Sequence, residues 1–190
     1  GHLEFAGDGD LPSEGTVFAS EDCGFGIIGA RRVREVLPGE ILVLERGKPV
    51  RTVSHAPEVP RHCVFELIYF SRPDSDTFGE RVWEVRRRIG AQLAAKDADL
   101  PVGDDLVVIP VPDSSNFVAQ GYAEARGIPF GMGLLRNHYV GRTFIRPNQK
   151  SRDEGVKEKF NPLPGFFPGR RVLLVDDSIV RGTSLRKLVR

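Results

Sequence analysis

The sequence predicts an α/β domain built on a largely parallel sheet, and three observations carry this reading. Leu106-Val107-Val108-Ile109 and Val172-Leu173-Leu174-Val175 are short continuous apolar runs, as expected of strands covered on both faces. Each run leads into a helical pattern, and strand–helix alternation is the signature of parallel α/β sheets. Phe78, Val82, Val85, Ile89 and Leu93 recur at helical spacing, which predicts a helix with one apolar stripe.

The elements follow in order. Between Thr16 and Val50, the runs Val17-Phe18-Ala19 and Ile41-Leu42-Val43-Leu44 are separated by Pro38-Gly39. That texture predicts strands joined by tight turns. Gly47 to Pro60 carries Pro49, Pro57 and Pro60 and reads as a connector. Val64 to Phe70 reads as a buried strand. Asn116 to Arg126 reads as a helix closed by Gly127, and a second helical start follows Val175.

Composition narrows the class. The chain has 190 residues, 40% apolar and 28% charged, with 27 basic against 26 acidic side chains. A net charge of +1 provides no field to draw it onto nucleic acid or an anionic membrane. No apolar run approaches the roughly 20 residues of a membrane span. Neither a secretory leader nor an internal repeat is evident. Two cysteines, Cys23 and Cys63, make no disulfide framework, and a reducing cytoplasm is the expected location.

The chemistry concentrates after the second apolar run, in Asp176-Asp177-Ser178-Ile179-Val180-Arg181-Gly182-Thr183-Ser184. A buried strand there delivers two carboxylates to its C-terminal end, where open α/β sheets bind ligands. Gly182 allows close backbone approach to an anion. Ser178, Thr183 and Ser184 add hydroxyls, and a helix start adds unpaired N–H groups. The carboxylates suit sugar hydroxyls or magnesium rather than phosphate. Response-regulator receiver domains also end a strand in two aspartates. They need a phosphoacceptor aspartate tens of residues later, and no acidic residue follows Asp177 here.

Asp176 through Ser184 resembles the signature of type I phosphoribosyltransferases for 5-phosphoribosyl-1-pyrophosphate (PRPP). Three further segments resemble glutamine PRPP amidotransferases. Cys63 to Ser75 is similar to the opening of their transferase domain. Ile109-Pro110-Val111-Pro112-Asp113-Ser114-Ser115 is similar to their pyrophosphate loop, where two prolines stiffen the turn. Arg136 to Ile145 resembles their flexible active-site loop, with Arg136 where lysine is usual and His138 where arginine is usual. The resemblance runs from about Thr16 to Arg190.

The resemblance implies a type I phosphoribosyltransferase fold, a partial parallel sheet with flanking helices, preceded by terminal strands of an N-terminal-nucleophile glutaminase domain. Residues 1–50 are then the glutaminase remnant, 51–62 a linker, and 63–190 the transferase domain, truncated after the PRPP loop. It implies attack of ammonia, drawn from glutamine, on C1 of PRPP, giving phosphoribosylamine and pyrophosphate in purine synthesis. Asp113, Ser114, Ser115 and Asp176 to Ser184 are expected to bind substrate. Magnesium is expected beside Ser114, Asp176 and Asp177. No residue acts covalently, while Tyr139, Arg142, Thr143 and Phe144 close over the site.

The segment Gln149 to Lys159 is rich in Lys and Arg, and reads equally as a pyrophosphate-assisting stretch or a solvated helix face. Some family members bind a 4Fe–4S cluster through a cysteine at the position of Cys63. Others keep the residue without a cluster, and Cys63 is read first as half-buried on a strand. Purine nucleotides as feedback inhibitors and a homo-oligomer are further implications. The chain lacks the N-terminal cysteine that hydrolyses glutamine, and is expected to be an internal section inactive with glutamine. A salvage or orotate phosphoribosyltransferase would need a base-binding hood in place of Thr16–Val50. A PRPP-sensing regulator would bring a basic DNA-binding module, and these 190 residues contain none.

Overall fold

The computed structural model describes residues 2–4, 14–46, 48, 50–54, 59–138, 159–179 and 182–189. The chain forms two compact units, residues 1–82 and 83–190.

In the first unit β1 (His2–Glu4) lies between β2 (Glu14–Thr16) and β3 (Ala30–Arg31), antiparallel to both. Phe25 and Ala30 form a small core with Val17 beside them. Val17-Phe18-Ala19 lies beyond the end of β2 rather than forming a strand. The expected strand at Ile41 is β4 (Glu40–Val43). Gly39 (φ 74°) provides the left-handed turn before it. The stretch expected as a connector contains β5 (Arg51–Ser54), paired antiparallel with β4 from Glu40↔Ser54 to Val43↔Arg51. Its flanking prolines masked a strand only four residues long.

Glu40 fastens the turn into β4. Its carboxylate accepts two hydrogen bonds from Arg34, at 2.8 and 2.6 Å, and one from the Leu37 N–H at 2.8 Å. These partners, Arg34 first, lower its pKa from 4.5 to about 2. A depressed carboxyl adds stability that is present above its ordinary value and lost as pH falls through the depressed one. Acid titration of the first unit, followed by circular dichroism, should show this loss between about pH 4.5 and 2. Glu40→Gln should remove that part of the pH dependence.

The run Val64–Phe70 is a correction. It is helical, with a wide turn at Glu66–Phe70, and Val64, Phe65, Tyr69 and Phe70 are exposed. A run without periodicity suits either a strand or a helical segment. Cys63, expected half-buried on a strand, is exposed and precedes this helix. Phe78 is a second correction. It sits with Gly79 in the two-residue turn joining β6 (Asp76–Thr77) to β7 (Glu80–Arg81). Both turn residues have positive φ, 55° and 76°, as a type I′ hairpin requires. Phe78 stacks on His62 with ring centroids 3.9 Å apart. The apolar stripe therefore enters its helix at Val82.

The Glu21 carboxylate accepts the Arg72 N–H and the Ser75 hydroxyl, at 2.6 and 2.9 Å. Asp22 accepts the Asp76 N–H at 2.9 Å, and Arg32 pairs with Asp22, Glu35 and Asp76. Ser75 is fully buried in this network, its hydroxyl satisfied by Glu21.

The second unit follows the predicted α/β pattern. Helix α1 (Val82–Lys96) leads to β8 (Leu106–Pro110), then α2 (Asn116–Arg126), which ends on Gly127 (φ 65°) as expected. The hairpin strands β9 (Leu134–Arg136) and β10 (Phe160–Pro162) precede β11 (Arg171–Val175) and α3 (Thr183–Leu188). β8 and β11 are parallel and in register from Arg171↔Leu106 to Val175↔Pro110. Residues alternate between two apolar layers. Leu106, Val108 and Val175 meet Ala94, Val118, Ala119, Tyr122 and Ala123, while Val107 and Ile109 meet Leu134, Phe166 and Phe167. Both faces of the strand pair are covered, as the unbroken apolar runs predict.

Glycines set the helix spacing. A Cβ at Gly90 would lie 2.0 Å from the Val118 carbonyl oxygen, and one at Gly121 would lie 2.1 Å from that of Arg87. Helices α1 and α2 thus touch backbone to backbone. Arg126 closes the far end, donating to the Asp97 and Leu100 carbonyls after α1 at 2.7 and 2.5 Å. At the start of the strand pair Arg171 holds Asp105 in a bidentate ion pair at 2.7 and 3.0 Å.

Candidate functional site

Because β8 and β11 are parallel and in register, their following loops emerge side by side at one sheet end. The Val111 N–H donates to the Val175 carbonyl at 2.8 Å and continues the pairing one step into the first loop. The peptide between Pro112 and Asp113 is cis.

Ser115 stands at the N-cap of α2, yet its hydroxyl makes no cap hydrogen bond. It turns to Oδ1 of Asp176 at 3.4 Å and links the two loops across 61 residues of sequence. The same Asp176 oxygen accepts the Asp177 N–H at 2.9 Å. Asp177 accepts the Ser178 hydroxyl at 2.6 Å. Ser115 is buried, Ser114, Asp176 and Asp177 are half-buried, and Asp113, Ser178 and Ile179 are exposed. Gly182 (φ 63°) is the N-cap of α3 and accepts the Arg186 N–H at 3.0 Å. Thr183 and Ser184 form the first turn of that helix.

Burial pushes the Asp176 carboxyl above the ordinary 3.8, and the neighbouring Asp177 charge adds to the shift. The Asp177 N–H, Ser115 and Lys159 oppose it. Such a carboxylate is poised for a cation or a hydroxyl donor. The oxygen set of Asp176, Asp177 and Ser114 is hard, as magnesium requires. One or two carboxylates completed by substrate oxygens are its usual complement. Among the described residues no three His, Cys, Asp or Glu side chains converge as a self-sufficient metal site. By donor chemistry alone, these oxygens are of the kind that holds magnesium together with a phosphorylated ligand. A 4Fe–4S cluster needs four thiolates, and Cys23 and Cys63 cannot hold one by themselves.

Two cations from the β9–β10 hairpin complete the arrangement. Nη1 of Arg136 lies 3.0 Å from Oδ2 of Asp113. Lys159, half-buried, has its ammonium disfavoured first by burial and then by Arg136. Asp176, Asp177 and Asp113 act in the opposite sense. Sequence reasoning placed Lys159 only within a basic stretch. The pairing Phe160↔Arg136 is the signal that separates it from the rest. Tyr139, Arg142, Thr143, Phe144, Val180 and Arg181 lie outside the described residues, as do residues 149–158.

No protein-family model matches the chain. Curated relatives do. It is 51% identical over 174 residues to an amidophosphoribosyltransferase of Methanothermobacter thermautotrophicus, covering 91% of this chain and 36% of the relative. A Synechococcus elongatus protein of the same name is 50% identical over 186 residues, 96% of this chain and 37% of the relative. Over nearly its whole length the chain is similar to a section of curated amidophosphoribosyltransferases.

It spans about a third of the length of these relatives. Solved structures agree. Glutamine PRPP amidotransferase from B. subtilis, complexed with ADP and GMP, is matched at TM-score 0.73 and 46% identity. That match covers 90% of this chain and 36% of the solved one. A structure described as the allosteric regulatory enzyme of purine biosynthesis gives the same TM-score at 45% identity, with the same coverage of both chains. The mixed α/β architecture is thus shared with amidophosphoribosyltransferases. Among the described residues, no helix is long and apolar enough to cross a membrane.

Proposed function

We propose that this chain carries the PRPP site of a glutamine PRPP amidotransferase. There ammonia attacks C1 of the ribose, displaces pyrophosphate and yields 5-phosphoribosylamine for purine synthesis. The observation that carries the reading is the contact between Ser115 and Asp176, which joins the two strand-end loops into one oxygen-lined seat. The finer fold reading is a type I phosphoribosyltransferase domain over residues 63–190. Terminal strands of a glutaminase domain occupy residues 1–50, and 51–62 link them.

In this reading Asp176 and Asp177 receive the ribose hydroxyls, since carboxylates accept hydrogen bonds that phosphates cannot donate. Ser178 to Ser184, with Gly182 at the helix start, hold the 5′-phosphate. Asp113, Ser114 and Ser115 border the diphosphate. Magnesium held by Ser114, Asp176 and Asp177 supplies charge neutralisation for that group. Tyr139, Arg142, Thr143 and Phe144 close over the bound substrate and exclude water, which would otherwise compete with ammonia. Catalysis rests on placement of the nucleophile and on charge stabilisation at the leaving group, with no covalent intermediate.

Glutamine as the ammonia source, purine nucleotides as inhibitors and a homo-oligomer belong to the same proposal. The ADP and GMP in the B. subtilis complex support the nucleotide part. The two free cysteines support a reducing compartment.

Pyrophosphate release from PRPP tests the proposal, using the full chain and the longer protein from the same coding region. Release that depends on ammonia is the expected result. Release that requires a nucleobase would point to salvage. Binding without turnover in the longer protein would point to a PRPP sensor, and either outcome overturns the reading.

A further inference from the structure

We propose that Trp83 is a positioning residue for the first strand-end loop, an assignment that rests on reading this site as a PRPP seat. It acts through Phe117 and the start of α2. The apolar stripe of α1 runs through Val82, Val85, Ile89 and Leu93 and leaves Trp83 to one side. The Trp83 ring instead meets Phe117 in the first turn of α2, with centroids 6.2 Å apart and planes inclined at 50°. That geometry lies within the range of favourable aromatic pairs. Both residues are half-buried. The Arg87 guanidinium lies 5.8 Å from the Trp83 ring centroid and backs the indole.

The first turn of α2 lacks the usual side-chain cap. Ser115, at the N-cap, spends its hydroxyl on Asp176 instead. Among the described residues, Oδ1 of Asn116 is buried with no hydrogen-bond partner. Contacts between the helices advance together, from Trp83 and Phe117 at the loop end to Asp97 and Tyr122 at the far one. Midway, Gly90 meets the Val118 backbone and Gly121 meets that of Arg87. Those contacts fix the helix separation, but bare backbone has no side chains to interlock against sliding or rotation. At the far end Arg126 holds the Asp97 and Leu100 carbonyls. The Trp83–Phe117 pair is the matching restraint beside the loop.

The restraint matters because Phe117 is only two residues beyond Ser115. A rigid helical turn passes any displacement of Phe117 on to that residue. The Ser115 hydroxyl lies 3.4 Å from Asp176, near the long limit of a hydrogen bond. A shift of about half an ångström would break it. Trp83 therefore sets where Ser114 and Ser115 stand when substrate arrives, without touching substrate itself.

The test is calorimetric titration of the full chain with PRPP and magnesium. Wild type is compared with Trp83→Leu, Trp83→Phe, Ser115→Ala and the double variant Trp83→Leu/Ser115→Ala, with folding checked by thermal melting. Arg126→Ala, which loosens the far end of the same helix, is the control. The expected result is affinity reduced about fivefold in Trp83→Leu, and within about twofold of wild type in Trp83→Phe and Arg126→Ala. In the Ser115→Ala background Trp83→Leu should cost less than about twofold more, because the ring acts through that hydroxyl. Affinity within about twofold of wild type in a folded Trp83→Leu would overturn the assignment while leaving the PRPP reading intact. Full additivity with Ser115→Ala, or an equal loss in Arg126→Ala, would mark general loosening of the helix pair and overturn it too. Should Trp83→Leu not fold, Phe117→Leu removes the same contact from α2 and is judged by the same outcomes. Failure of wild type to bind PRPP would remove the PRPP reading and this assignment with it.

Discussion

Gly121→Ala is expected to destabilise the second unit by about 3 kcal/mol. The new methyl group would meet the Arg87 carbonyl oxygen at 2.1 Å, and a backbone atom within a helix cannot rotate away. α1 and α2 must separate, opening the layer of Ala94, Val118, Ala119 and Tyr122 beneath them. Alanine's better helix propensity returns only about 1 kcal/mol. For a chain of this size the loss should appear as a fall of roughly 10 °C in Tm by calorimetry. Gly90→Ala should behave similarly because its Cβ meets the Val118 carbonyl across the same contact. The double substitution should cost less than the sum, since the first has already separated the helices. An unchanged Tm for Gly121→Ala would show that the helices do not touch as described.

Asp176→Asn should have opposite effects on stability and on binding. In the ligand-free chain the ionised carboxylate is disfavoured, chiefly by burial and then by Asp177. A raised carboxyl contributes stability that is full below its ordinary value, here 3.8, and is lost as pH rises through the raised one. At neutral pH that contribution is absent. The amide keeps an oxygen for the Asp177 N–H and the Ser115 hydroxyl without carrying charge. Asp176→Asn should therefore raise the ligand-free Tm at pH 7 by about 2–4 °C. That gain should shrink as pH falls through the raised value, where the wild-type carboxyl itself protonates. Binding should move the other way. Loss of one ribose acceptor and one magnesium ligand should weaken PRPP by about a hundredfold. A substitution that stabilises the fold while disabling the ligand is characteristic of a group retained for function.

The layered strands were legible because burial on both faces leaves its mark in composition. Val107 and Val108 point to different apolar layers, so neither position tolerates a polar residue. Helix α2 was legible at both ends, from the apolar pattern after Asn116 to the left-handed stop at Gly127. Val64–Phe70 was not, since an aperiodic apolar run has no preferred period, and its exposure could not be foreseen. Phe78 misled for a different reason. Its spacing fits the helix stripe, while its actual backbone, at φ 55°, belongs to a turn that favours glycine or asparagine.

The site was legible in pieces. Each loop carries its own chemistry in sequence, with two prolines and two serines in the first and two aspartates in the second. Their union through Ser115 and Asp176 depends on strand register, which single runs do not encode. Lys159 was hidden within a stretch of mixed charges. Its separation from Arg136 in sequence is closed only by the β9–β10 pairing.

Isothermal titration of the full chain with PRPP and magnesium, wild type beside Asp176→Asn and Asp177→Asn, is the shortest route to the central question. Saturable binding by wild type, weakened about a hundredfold by either substitution in a protein that melts no lower, is the predicted result. Equal affinity in all three proteins would contradict the assignment of the strand-end loops to the ribose phosphate.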